Sequence, residues 1–192
     1  MSKKRHIVLL ILCALCGAWT LGAQNSTEIL SRIDAALSKS PAVTGRFHEV
    51  RTPAAQDQKA VQLAGKLVFT PDTFLSMLYD NGDQFTIDGD KMVVQRDGNP
   101  VVFNLTKNLM MKGLSHILLY SFKGDLPLLA QEQDAEIQAV KEKGRYVVTL
   151  TPRKKTPRGC SRLVVSYDAA TCAIREMILD EPTGASTRYS MD

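Results

Sequence analysis

From Val43 onward the apolar residues recur mostly with a period of two, in short runs broken by Gly, Asp, Asn and Pro. Successive side chains of a strand point to opposite faces, so each run reads as a strand with one face for a core. Eleven runs can be marked: 43–50, 62–69, 73–79, 84–88, 92–96, 100–105, 135–142, 146–151, 160–167, 172–179 and 186–191. Links as short as Asn81-Gly82-Asp83, Gly89-Asp90 and Glu142-Lys143-Gly144 allow only antiparallel neighbours. The expectation is therefore one meandering antiparallel sheet. Asp80, Asp83, Asp88, Asp90 and Asp97 sit at its turns, where a short polar side chain favours the bend, and their spacing is too sparse for a calcium loop.

Two stretches depart from that period. Residues 26–39 place Ile29, Leu30, Ile33, Ala36 and Leu37 on one helical stripe, with Asn25 as an expected cap, Glu28 completing a capping box and Pro41 as a stop. Residues 106–122 place Met110, Leu114, Ile117 and Leu118 on a second face. Gly124 and Pro127 end this second helix, and 125–130 reads as an apolar loop. Two small helices cannot fill a wide sheet as densely as a second sheet would. The sheet must close into a barrel or leave a cavity beneath the helices, and wide antiparallel barrels and half-barrels enclose apolar ligands.

The N-terminus reads as an export signal. Lys3, Lys4 and Arg5 precede an apolar run from Ile7 to Leu15, and Leu21-Gly22-Ala23 supplies the small residues a signal peptidase reads. That run is shorter than the roughly 20 residues that span a bilayer. Residues 1–23 are thus an expected signal peptide, and 24–192 an expected single periplasmic domain, soluble and monomeric. Without the signal the charge is 21 basic against 20 acidic residues, so the basic balance of the whole chain gives no support for a nucleic-acid partner. Arg153-Lys154-Lys155 and Arg158 form a basic run that reads first as a solvated hairpin tip.

The two remaining cysteines are Cys160 and Cys172. With a turn at 168–171, Cys172 faces about Tyr167, and Cys160 lies roughly 20 Å further along at about 3.4 Å per residue. That exceeds the reach of a disulfide, so two partly buried thiols are expected; a bridge would require a different turn. His48 and His116 lack an oriented nucleophile: Glu49 points to the opposite face from His48, and Ser115 does not face His116 on a helix. GxSxG, Walker and GxGxxG motifs and zinc-spaced histidines do not occur, so catalysis is not expected.

Gly65-Lys66-Leu67-Val68-Phe69-Thr70-Pro71-Asp72-Thr73-Phe74 resembles the strand, proline turn and aromatic strand start of the LolA-like lipoprotein carriers. Phe85-Thr86-Ile87-Asp88-Gly89-Asp90-Lys91 resembles the family's next hairpin, Thr44-Gly45-Arg46-Phe47-His48-Glu49 its first strand, and Tyr146 to Pro152 a later one. The resemblance spans most of residues 26–191. It implies a half-open antiparallel β-barrel with a helical lid, acyl chains held beneath that lid, and neither catalysis nor a cofactor. It also implies partners: acylated lipoproteins or lipid as cargo, an inner-membrane releasing complex and an outer-membrane receptor. An interaction or sensor module of the same fold, without transport, is the alternative it leaves.

On this resemblance Phe74 is the first cavity candidate, with Val68, Thr70, Leu78, Phe85 and Ile87 on the same wall and Phe47 on the opening strand. Met110, Leu114 and Leu118 would face the cavity from the lid, Met110 and Met111 adding the adaptability of methionine. Three positions depart from the family. Thr70 stands where an arginine often ties the lid shut, Ser76 replaces an aromatic residue, and His48 or Glu49 replaces a glutamine. A hydroxyl can accept and donate but lacks the guanidinium fork, so the sequence alone leaves open whether Thr70 supports a lid closure of that kind. The departures fit a distant, Bacteroidetes-type branch.

Overall fold

A computed structural model describes residues 25–39, 42–55, 57–71, 74–155 and 157–192. The expected signal peptide lies outside the described residues. Eleven strands form one antiparallel sheet: β1 (Val43–Thr52), β2 (Val61–Thr70), β3 (Phe74–Tyr79), β4 (Gln84–Asp88), β5 (Lys91–Arg96), β6 (Asn99–Asn104), β7 (Ala135–Glu142), β8 (Arg145–Pro152), β9 (Arg162–Asp168), β10 (Ile174–Asp180) and β11 (Ser186–Met191). Three helices accompany them: α1 over residues 25–37, α2 (Leu109–Lys123) and α3 (Leu126–Glu132). The spatial order is β6-β5-β4-β3-β2-β1-β11-β10-β9-β8-β7. Every neighbour is a hairpin partner in sequence except β1 and β11, which join the two halves at the middle. The sheet does not close. Its edges are β6 and β7, and α2 and α3 form the connection between them.

Turn chemistry sets this meander. Asp97 and Gly98 both have positive φ (49° and 77°), as do Lys143 and Gly144 (46° and 77°). Two successive left-handed residues make the tight hairpin whose twist matches that of the flanking strands. All eleven expected strands are present, with ends shifted by a few residues.

The helices correct three expectations. Asn25 is already helical, so it does not cap α1. The second helix starts at Leu109, not at 106, because Asn104 Oδ1 accepts hydrogen bonds from the backbone of Thr106 and Lys107 and holds a turn there. Asn108 is the cap that follows, its Oδ1 accepting from the Met111 N–H at 3.1 Å. The stretch 125–130 is not a loop but the start of α3. Gly124 (φ 77°) ends α2, and Pro127 then stands in the first turn of α3, where a missing N–H costs nothing.

The core lies between the inner face of the sheet and the helices. Ile29 and Ile33 of α1, Ile117, Leu118 and Phe122 of α2, and Leu126 and Leu129 of α3 are buried against Leu75, Ile87, Met92, Val148, Val165 and Met177. Phe122 stacks on Phe69 at 5.2 Å between ring centres. At the other end of the sheet the Ser26 hydroxyl accepts from the Ala139 N–H on edge strand β7 (2.9 Å), and Arg32 donates to the Tyr146 hydroxyl (3.0 Å). No helix among the described residues is long and apolar enough to cross a membrane.

Candidate functional site: an apolar cavity under helix α2

Helix α2 is buried from Ser115 onward. Ile117, Leu118, Leu119 and Phe122 are covered, whereas Leu109 is 80% exposed and Met110 57%. Under the uncovered first half the sheet has no second layer against it. A cavity of about 1190 Å³ opens there, at or above the upper end of ordinary ligand pockets.

Register shows how the wall is built. Leu67 faces Met77, Met77 faces Phe85, Phe85 faces Val94 and Val94 faces Val101, so one row crosses five strands on the inner face. From Met77 onward its members line the cavity, with Met92 and Phe103 from the adjacent row and Met110, Met111, Leu114, Ile117 and Leu118 from α2. Leu63, Leu179 and Tyr189 line it as well. Phe85, Val94, Phe103, Met111 and Leu114 are only half-buried, because the cavity takes the place of a neighbour.

Asp83, Arg96, Arg158, Asp180 and Glu181 also line the cavity from half-buried or exposed positions, and one charged patch of the wall is buried. Glu49 is completely buried, yet it lines the cavity. Arg51 Nε donates to Glu49 Oε1, and the Tyr79 hydroxyl donates to Oε2 at 2.5 Å. Burial opposes the Arg51 charge, but the hydrogen bond and the charge of Glu49 outweigh it and raise its pKa. Burial, the neighbouring Tyr189 and the bond to Glu49 all push the Tyr79 phenol up. Tyr189 faces Glu49 across the β1–β11 pair and is shifted the same way, chiefly by burial.

The expected site residues separate into three groups. Phe85, Met110, Leu114 and Leu118 line the cavity. Phe47 and Ile87 face inward but are fully buried in the core, Phe47 edge-on to Tyr79 at 5.1 Å. Val68, Thr70, Phe74 and Leu78 lie on the opposite, outer face, with Leu78 49% exposed. Their expected wall is corrected by one residue: Leu67, Phe69, Leu75, Met77 and Tyr79 are the inward set. The run 74–79 carries apolar residues at both parities, so alternation alone could not choose its face, and a one-residue slip exchanges the faces completely.

No family model matches the chain, and no curated protein matches it significantly. The chain is similar to LolA superfamily structures. A LolA superfamily protein from Nitrosomonas europaea superposes with a TM-score of 0.42 at 9% identity, over 88% of this chain and 91% of that one. A DUF1329 family protein from Desulfovibrio piger gives 0.46 at 13%, over 89% and 91%. The Mycobacterium tuberculosis lipoprotein LppX gives 0.41 at 12%, over 86% and 94%.

The polar patch was missed by sequence reasoning as a unit. Its signal is present: Phe47, Glu49 and Arg51 share one strand face, so an acid and a base follow a core phenylalanine inward. His116, His48, Arg153 and Lys154 are not among the residues that line the cavity. His116 Nδ1 meets Glu132 Oε2 at 2.5 Å and ties α2 to α3, while the Ser115 hydroxyl donates to the Lys112 carbonyl instead of to His116. His48 pairs with Asp192 at 3.4 Å. Arg153 and Lys154 meet Asp134 and Glu136 in exposed ion pairs. Cys160 and Cys172 are both free thiols; Cys160 lines the cavity, and burial pushes its thiol up to about 11. Among the described residues no three His, Cys, Asp or Glu side chains gather as metal ligands.

Proposed function

We propose that this chain is a periplasmic carrier that takes the acyl chains of lipoproteins, or of another lipid, into the cavity under α2 and ferries them towards the outer membrane. The observation that carries this reading is the cavity itself: about 1190 Å³, walled by the row Met77, Phe85, Val94 and Val101 and roofed by Met110, Met111 and Leu114. An acyl chain in water costs about 0.8 kcal/mol per CH₂, and an apolar wall removes that cost while the cargo crosses an aqueous space. The roof suits variable cargo, because methionine side chains repack readily. The sequence resemblance to LolA-like carriers and the signal-like N-terminus support the same reading. No Walker motif supplies an ATP site, so release is driven by a receptor of higher affinity.

The test is displacement of an environment-sensitive apolar dye from the purified protein by a triacylated lipopeptide, beside the same peptide without acyl chains. The expected result is displacement by the acylated peptide alone, at micromolar concentration. Displacement by neither peptide, or no dye binding, overturns carriage in favour of an interaction module of the same fold.

A further inference from the structure

A cavity for hydrocarbon alone has no use for an ion pair in its wall. Glu49 has no exposed surface and both carboxylate oxygens occupied, one by Arg51 Nε and one by the Tyr79 hydroxyl. Replacing such a pair by apolar side chains is often neutral or stabilising, so stability does not explain it. The arrangement leaves unused groups on the cavity side. The Arg51 side chain is 39% exposed and spends Nε on Glu49, which leaves its four terminal N–H groups. Tyr189, directly across from Glu49, lines the same wall, feels both charges, and its hydroxyl makes no hydrogen bond among the described residues.

An acyl chain laid over these donors would strip their water without replacing it, which costs free energy for each group left unpaired. The bound molecule must therefore bring acceptors to this patch. Glu49 already neutralises Arg51 within the wall. The other charges that line the cavity, Arg96 and Arg158 with Asp83, Asp180 and Glu181, leave the whole wall with three basic against four acidic residues. A carboxylate at this patch would carry a second negative charge next to a buried one, whereas an uncharged carbonyl oxygen accepts from Arg51 and Tyr189 without that repulsion.

We propose that Arg51 and Tyr189 form a head site in the cavity, which accepts the ester or amide carbonyl oxygens at the root of an acyl chain and selects against free fatty acids. This rests on the carrier reading and names its ligand class. Two sources share that chemistry, an acylated lipoprotein N-terminus and a glycerolipid.

The experiment is dye displacement from the full chain by a monoacylglycerol and by the fatty acid of the same chain length, with a triacylated lipopeptide and a diacylglycerol as the two source arms. Wild-type protein is expected to prefer the ester over the carboxylate by at least about tenfold, or about 1.4 kcal/mol. Tyr189→Phe, and separately Glu49→Gln together with Arg51→Met, should bring that ratio, measured within each variant against its own dye affinity, to within about threefold. Weakening in both source arms marks recognition of the carbonyls; weakening in one arm identifies the source the site serves. Equal or tighter binding of the fatty acid to wild type overturns the head site, as does a preference that survives in both variants. If the double variant does not fold, the wild-type ratio and Tyr189→Phe decide. Failure of the carrier reading looks different: the dye itself then does not bind, and the head site falls with it.

Discussion

The Tyr167 hydroxyl, on β9, donates a 2.7 Å hydrogen bond to the backbone carbonyl of Ser121 in the last turn of α2. Carbonyls in that turn lack partners within the helix. The Asp125 N–H, four residues on, goes to Tyr120 instead at 3.0 Å. Tyr167 thus satisfies a buried carbonyl and fastens the second half of α2 to the sheet, while the first half stays uncovered over the cavity. Tyr167→Phe is expected to keep the fold and lower the unfolding free energy by about 1–3 kcal/mol, the range for leaving a buried acceptor unpaired. Urea denaturation measures this as a lower midpoint at unchanged slope. An unchanged midpoint would show that the bond does not hold the helix.

The facing of β3 and β4 gives a second prediction. Phe85 lies on the cavity side between Met77 and Val94, and Leu78 on the outer side between Lys66 and Gln84. Phe85→Glu should reduce apolar dye binding at least about tenfold, since a carboxylate in the wall must be desolvated by the ligand. Leu78→Glu, one position across the same strand pair, should leave binding within about twofold, because it adds a charge to an exposed position. Dye titrations of both variants, with circular dichroism to confirm folding, check the pair. Equal losses in both would contradict the facing described here.

Legibility in the sequence followed the physics of each signal. Strand number and the meander came from period-two alternation and short polar links, which act locally, and the need for a cavity from the few helices set against so wide a sheet. The α2 face came from helical spacing, and it placed Met110, Leu114 and Leu118 where they line the cavity. Strand facing was not legible wherever both parities were apolar, as in Phe74-Leu75-Ser76-Met77-Leu78-Tyr79. Helix α3 was obscured by Pro127, which reads as a stop from one side and a start from the other. The Glu49, Arg51, Tyr79 and Tyr189 patch assembles residues from β1, β3 and β11, and only the sheet order brings them together.

Gly65 provides a test of that sheet order. It faces Phe47 on β1 and Tyr79 on β3. A Cβ added there would lie 2.2 Å from the Leu78 carbonyl oxygen and 2.8 Å from Tyr79 Cα. Both are backbone atoms of a paired strand, so no side-chain motion relieves the clash. Gly65→Ala is therefore expected to cost about 2–4 kcal/mol, well above an ordinary surface change, through local separation of β2 from β3. Thermal and urea unfolding measure it. Wild-type stability in this variant would mean that the strands approach less closely than described.

Stability should also fall on the alkaline side. Burial first, and neighbouring groups second, raise the phenols of Tyr79, Tyr167 and Tyr189 above their ordinary value of 10.0. The Cys160 thiol is raised from 9.0 to about 11, chiefly by burial. In each case the folded protein keeps its proton to higher pH than the unfolded chain does. Below the unfolded pKa both states are protonated and the full stability is present. Above it the unfolded chain binds fewer protons, so the unfolding free energy declines by about 1.4 kcal/mol per pH unit for each linked group. Cys160 acts from about pH 9 to 11, and the tyrosines from about pH 10 upward. Urea denaturation at intervals from pH 8 to pH 11 should show a plateau followed by a steepening loss. Cys160→Ser should reduce the loss between about pH 9 and 10, leaving a part due to Cys172, whose thiol burial also raises from 9.0, and Tyr167→Phe should reduce the slope above 10 by about one proton's worth. Flat stability to pH 11 would mean that these groups are open to solvent in the folded protein.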